Sequence, residues 1–145
     1  MKKAAFFLAA FVLFSIEARV TVFGIRPCLT ILLACFAGFK DGPRSGLLAG
    51  AFLGLLEDGF SGGILGPGMF GKGMAGYISG YLAGPLSWKP AYGYFGIFFL
   101  TAFDGAVSFT SLAALGHATT TTSNAAFVVA SQSLLNSLSA PVLRP

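Results

Sequence analysis

The chain has 145 residues, of which 55% are hydrophobic and only 10% charged, and its formal net charge is +4. A soluble domain carries about 25% charged residues, so this composition excludes an ordinary soluble protein. The basic residues stand singly or in pairs, which excludes a basic surface that follows phosphates and hence a nucleic-acid partner. With a mean hydropathy of +0.80, these features predict one all-α integral membrane domain over residues 1–145, surrounded by membrane lipid.

Hydrophobic runs in the first half of the chain predict three membrane spans, at about residues 4–22, 27–39 and 45–57. The first run follows Lys2 and Lys3, and no small-x-small cleavage site precedes Glu17. We therefore interpret it as an uncleaved span and not as a signal peptide. A tight polar turn over residues 40–44 separates the second span from the third. Both of these spans are short for a hydrocarbon layer of about 30 Å.

The second half of the chain predicts three further spans, at about residues 69–86, 91–115 and 124–143. Lys72, in the first turn of the fourth span, is expected to lie near Glu57 and Asp58 across a glycine-rich turn. If the N-terminal lysines are cytoplasmic, most basic residues lie on the same side, in agreement with the positive-inside rule. The predicted topology therefore has six membrane spans, with both termini in the cytoplasm.

Glycine recurs every fourth position from Gly42 to Gly54 and again from Gly76 to Gly84. This spacing puts the glycines on one helical face. In a membrane such a face lets two helix backbones approach closely. We predict that the stripe receives a partner helix; contacts within the bundle are the alternative. The predicted partner-binding residues are Gly46, Gly50, Gly54, Asp58, Gly76 and Gly80.

Asp58 enters this set because it follows Glu57 at a predicted helix end, where the helix macrodipole disfavours acidic side chains. That position suggests either a specific partner or a pairing with Lys72. A solvated turn is the alternative interpretation for Asp58.

Three polar side chains are predicted to lie within the membrane: Asp104, Gln132 and Asn136. An ionisable group at mid-span is costly and usually faces the bundle or a cavity. Asp104 is either a proton or substrate site, or a structural carboxyl that is hydrogen-bonded to Ser108, Gln132 or Asn136. The structural interpretation is favoured because no second carboxylate or basic partner is evident. Gln132 and Asn136 lie one turn apart and are expected to join helices.

No residue pattern predicts catalysis, a cofactor or a metal site. Residues 66–72 superficially resemble a phosphate-binding loop, but they lack its GK[ST] ending. Cys28 and Cys35 share a helical face without another ligand at metal-binding spacing, so we interpret both as packing residues. We therefore expect a protein that is not an enzyme.

Four segments stand out: RP at 26–27, GAFLGLLED at 50–58, LLN at 134–136 and AP at 140–141. Together they resemble the bacterial rod shape-determining protein MreD family. The resemblance implies a non-enzymatic inner-membrane scaffold of the cell-elongation (rod) complex. It also implies a direct partner, the single-span protein MreC, and indirect links to the MreB filament and to the RodA polymerase with its transpeptidase.

The family's fold is similar to the six-helix substrate-binding subunits of energy-coupling-factor transporters. This similarity supplies an alternative function, a small-molecule (vitamin-type) binding subunit of a membrane transporter. A third hypothesis, a proton-coupled transporter, depends on Asp104.

Overall fold

The computed structural model describes residues 11–12, 15–17, 19, 28–61, 65–86, 90–116 and 121–138. The described residues are almost entirely α-helical, which confirms the predicted all-helical fold class. The first helix, α1, is described at residues 11–12 and 15–17. The others are α2 (Leu29–Asp41), α3 (Pro43–Ser61), α4 (Pro67–Leu86), α5 (Pro90–Ala114) and α6 (Thr122–Leu138).

The connection between α2 and α3 is shorter than the predicted polar turn over residues 40–44. Only Gly42 is non-helical, with φ +90°, a conformation that glycine adopts without the strain of a Cβ atom. Its N–H donates a hydrogen bond to the carbonyl oxygen of Gly38. Pro43 then opens α3, because the first helical turn does not need its missing N–H group. Two antiparallel helices thus follow each other with almost no loop.

The glycine stripes of α3 and α4 face each other. A Cβ atom added to Gly46 would collide with the carbonyl group of Gly76, and one added to Gly54 would collide with the carbonyl group of Gly68. A Cβ atom added to Gly80 would lie 2.5 Å from the backbone of Pro43. The close approach predicted for these glycines therefore occurs between two helices of the same chain.

The core lies around α2, which packs against α3, α4 and α5. Ile31 and Ala34 of α2 are fully buried, and Ile31 belongs to a cluster with Cys35, Ala75 and Leu100. Both cysteines, Cys28 and Cys35, are buried and reduced, in agreement with their interpretation as packing residues. Helix α6 lies at the margin and packs mainly against α5.

Among the described residues, one helical stretch, Gly93–Ala114 in α5, is long and apolar enough to cross a membrane by length and composition. Helix α2 has only 13 residues, whereas a helix needs about 20 residues to cross a bilayer. The outer surface carries large apolar side chains, as lipid contact requires. The most exposed of them are Phe11, Leu48, Phe60, Phe99, Phe127 and Leu138.

Candidate functional site

A buried ion-pair network lies where α3 ends and α4 begins. Lys72 of α4 places Nζ 2.7 Å from Oε2 of Glu57 in α3 and 3.3 Å from Oδ2 of Asp104 in α5. The Lys72 and Asp104 side chains are 3% and 6% exposed, and that of Glu57 is 34% exposed. The prediction that Lys72 pairs with the acidic end of α3 is confirmed for Glu57. The second partner, Asp104, lies 32 residues further along the chain.

The beginning of α2 joins this network. The backbone N–H of Thr30 donates to Oε2 of Glu17 at 3.2 Å, and the Thr30 hydroxyl donates to Oε2 of Glu57 at 3.3 Å. Cys28, the N-cap of α2, supplies no side-chain capping bond. The carboxylate of Glu17 caps the helix instead. A carboxylate is stabilised there by the unpaired N–H groups and by the positive end of the helix dipole.

Asp104 has different partners from those predicted. Oδ2 lies beside Lys72 and 4.0 Å from the Cys28 sulfur, and neither of these residues was among the predicted partners Ser108, Gln132 and Asn136. The expectation that Asp104 has no basic or acidic neighbour is therefore wrong. Lys72 and Glu57 are far from Asp104 in the sequence, so the sequence alone did not place them beside it. Gly71 permits this arrangement, since a Cβ atom there would collide with the Asp104 carboxyl.

Asn136 ties α6 to the same region. Its Nδ2 donates to the carbonyl oxygen of Cys28 at 2.9 Å and lies 3.4 Å from Oγ1 of Thr101 in α5. Asn136 is fully buried. Its hydrogen bonds join α6 to α5 and to the start of α2, as predicted. Gln132, one turn earlier, is half-buried.

We name this set of side chains the polar junction. Its members come from α1 to α6, and one of them, Cys28, is the N-cap residue of α2. The set is Glu17, Cys28, Thr30, Glu57, Lys72, Asp104 and Asn136. The sequence signalled Glu57, Lys72, Asp104 and Asn136 as polar groups in apolar surroundings. It did not signal Thr30 or Cys28, which look like ordinary helix residues, and it placed Glu17 only as a charge near a span end.

Asp58 lies beside the junction and caps α4. Its carboxylate accepts hydrogen bonds from the backbone N–H groups of Gly66, Gly68 and Met69 at 2.9–3.2 Å. These N–H groups belong to the start of α4, which has no intrahelical acceptors for them. The acidic pair at residues 57–58 is therefore explained within the chain, since Glu57 pairs with Lys72 and Asp58 satisfies the next helix.

The predicted partner-binding glycines do not line the junction. Gly46, Gly50, Gly54 and Gly76 are buried between α3 and α4, and Gly80 is half-buried. Their effect on the junction is indirect. A Cβ atom at Gly50 would collide with the Lys72 carbonyl oxygen, so a bare backbone at this position lets the Lys72 turn approach α3.

The arrangement of the polar junction suits binding and helix positioning. Its carboxyl groups share one lysine and the start of α2, and the Asn136 amide adds α6, so the set links segments of six helices.

The chain matches the family model described as rod shape-determining protein MreD over residues 3–145. No curated protein and no solved structure matches it. The family consists of multi-pass membrane proteins that are non-enzymatic and act in the determination of cell shape. The resemblance seen in the sequence is therefore confirmed, and the chain belongs to the MreD family of rod shape-determining proteins.

Proposed function

We propose that this protein is a scaffold of the rod complex in the bacterial inner membrane. It binds an MreC-type single-span protein and so helps to position lateral peptidoglycan synthesis. Through that partner it is linked to the MreB filament and to a RodA-type polymerase with its transpeptidase. All six helices span the membrane in this proposal, and both termini are cytoplasmic. Family membership over nearly the whole chain supports it.

The observation that carries the proposal is the two-sided character of α3. Its glycine face, at Gly46, Gly50 and Gly54, is buried against α4. Leu48 and Leu55 lie on the opposite side of the helix, because steps of 100° per residue place them about 160° and about 140° from Gly50, the middle glycine of that face. They are 71% and 43% exposed. A single partner helix can pack along this outer ridge while its segment beyond the membrane docks on the turn between α3 and α4.

The glycines contribute to partner binding in this proposal by fixing the position of α3. Their own faces are occupied within the chain, so a direct contact with the partner requires α3 and α4 to separate. Gly50→Leu and Gly80→Leu variants distinguish the possibilities. Normal co-purification with MreC in both would remove the stripe from the partner site. Loss of the complex with unchanged thermal stability would indicate direct contact.

The main test is co-purification from membranes in which the tagged chain and its MreC-type partner are co-expressed. Leu48→Trp together with Leu55→Trp should reduce the recovered partner several-fold, because bulky rings disturb helix packing along the ridge. Phe95→Trp together with Phe99→Trp on α5 is the matched control, since these side chains are similarly exposed, at 64% and 66%. Equal recovery with the α3 and α5 variants would refute the ridge as the docking site.

A small-molecule binding subunit is the second candidate, and the buried polar junction is the observation that favours it. A vitamin-type ligand would raise the melting temperature of the purified protein, and the stabilisation would grow with the logarithm of ligand concentration above the Kd. A scaffold would instead be stabilised by its partner. A proton-coupled transporter is a third hypothesis; it predicts that Asp104→Asn abolishes function while the rod complex still assembles.

A further inference from the structure

The polar junction contains more acidic than basic groups. Glu17, Glu57 and Asp104 supply three carboxylates, and Lys72 supplies one ammonium group. When all four are ionised the formal charge is therefore −3 + 1 = −2. Arg19, the nearest basic residue in the described sequence, is exposed. A surplus of negative charge in apolar surroundings is unfavourable unless a further cation compensates it or a carboxyl group takes up a proton.

The junction also has more hydrogen-bond acceptors than donors. Within the described residues, Oδ1 of Asp104 and Oδ1 of Asn136 are buried and have no hydrogen-bond partner. Asp104 is 4% exposed and Asn136 is fully buried. Buried acceptors of this kind are rare in folded proteins, and an ion or an ordered water is a common explanation. Both side chains adjoin Cys28, through its sulfur and its carbonyl oxygen respectively.

Three potential metal ligands lie close together within the polar junction. A carboxylate oxygen of Glu17, the Cys28 sulfur and a carboxylate oxygen of Glu57 all lie within 4.8 Å of one another. Zn²⁺ binds carboxylate oxygen at about 2.0–2.2 Å and thiolate sulfur at about 2.3 Å, so small side-chain rotations would close the set around one ion. Asp104, with Oδ2 4.0 Å from the same sulfur, is the nearest candidate for a fourth ligand.

We propose that the polar junction binds one divalent metal ion of the Zn²⁺ class through Glu17, Cys28 and Glu57. A mixed oxygen and sulfur ligand set favours a borderline ion such as Zn²⁺ over Mg²⁺ or Ca²⁺, which prefer oxygen alone. The thiol of Cys28 loses its proton on binding. The formal charge then changes from −2 to −2 − 1 + 2 = −1, so the ion still lowers the excess of negative charge.

The two carboxylates are the more accessible part of the site. Glu17 and Glu57 are half-buried and Cys28 is buried, so an ion reaches the thiol by passing the two carboxylates. Lys72 keeps its contacts with Glu57 and Asp104, each of which has a second oxygen. The bound ion joins α1, the start of α2 and the end of α3, which stabilises the end of the bundle where α4 begins.

The experiment uses the full-length protein, purified in detergent with a tag that contains no histidine. Co²⁺ replaces Zn²⁺ as the probe, because a cobalt–thiolate bond gives a charge-transfer band in the near ultraviolet. We expect a saturable band with one Co²⁺ per chain, which Zn²⁺ abolishes in competition. Absence of saturable binding, or binding without the thiolate band, would overturn the proposal.

Two substitutions assign the ligands. Cys28→Ser should abolish the band, whereas Cys35→Ser should preserve it, since Cys35 is an equally buried thiol on the same helix. Glu17→Gln should weaken Co²⁺ affinity by about tenfold or more, because loss of even an outer-shell group costs about 10–100-fold. If Cys28→Ser lacks helical circular dichroism, Glu17→Gln alone decides the question: unchanged affinity refutes the site.

Discussion

Nζ of Lys72 in α4 lies 3.3 Å from Oδ2 of Asp104 in α5, and both side chains are almost completely removed from solvent. The same ammonium group lies 2.7 Å from Glu57 of α3. One lysine thus joins three helices at the end of the bundle where α4 begins. Since an unpaired buried charge is far more costly than a paired one, each of these helices constrains the other two.

Removal of the Lys72 ammonium group should destabilise the protein strongly. Lys72→Met leaves two carboxylates without their cation, and breaking a buried pair costs about 3–5 kcal/mol. The free energy of unfolding in detergent measures this loss. Lys40→Met is the matched control: Lys40 is exposed and lies 5.6 Å from the Phe36 ring centroid, a contact worth about 0.5–1 kcal/mol.

A double variant tests the pairing itself. Lys72→Met combined with Asp104→Leu should be more stable than Lys72→Met alone, because the second change removes a carboxylate that the first left unpaired. Additive losses in the double variant would mean that Lys72 and Asp104 act independently.

Substitution of glycine should have opposite effects at a contact position within the stripe and at an open position outside it. Gly46→Ala adds a Cβ atom against the Gly76 carbonyl group, and such overpacking costs about 1–3 kcal/mol. Gly93→Ala in α5 meets nothing within 4 Å, so it should be neutral or stabilising by up to about 1 kcal/mol through helix propensity. Thermal unfolding of both variants measures the difference, and equal melting temperatures would contradict a tight α3–α4 contact.

Asp58→Ala should weaken the start of α4. The variant leaves the N–H groups of Gly66, Gly68 and Met69 without their acceptor, and loss of an N-terminal cap costs about 0.5–2 kcal/mol. Asp58→Asn retains an acceptor and should lose less. Hydrogen exchange in the first turn of α4 reports the effect directly. If Asp58→Ala instead keeps full protection but no longer co-purifies with MreC, the residue contacts the partner.

Asn136→Ala should loosen the attachment of α6. Its amide is fully buried and bonds the Cys28 carbonyl oxygen, so removal leaves a buried acceptor unsatisfied at a cost of about 1–3 kcal/mol. The matched control is Ser137→Ala, whose hydroxyl donates only within its own helix, to Leu134; that variant should stay within about 0.5 kcal/mol of the wild type. Amide exchange along α6 should accelerate in Asn136→Ala alone.

The sequence alone determined the class of the protein. Its hydropathy and scarcity of charge predict a helical membrane domain, and the segments at 50–58 and 134–141 carry the family resemblance that the family comparison confirmed. The shared face of the glycines could be predicted from the sequence, because a spacing of four residues defines a helical face without reference to any neighbour. Local sequence also placed Lys72 near Glu57, since only a short turn separates them.

Tertiary structure alone decided what each face and each charge meets. The spacing of glycines in the sequence shows which residues share a helical face. It does not show whether that face meets another helix of the chain or a partner. Here Gly46 faces Gly76. Likewise, the depth of Asp104 in an apolar segment was visible, but its pairing with Lys72 was not, because the two are brought together by the packing of α4 on α5. Contacts between distant segments depend on the packing of several helices at once, and no single stretch of sequence encodes them.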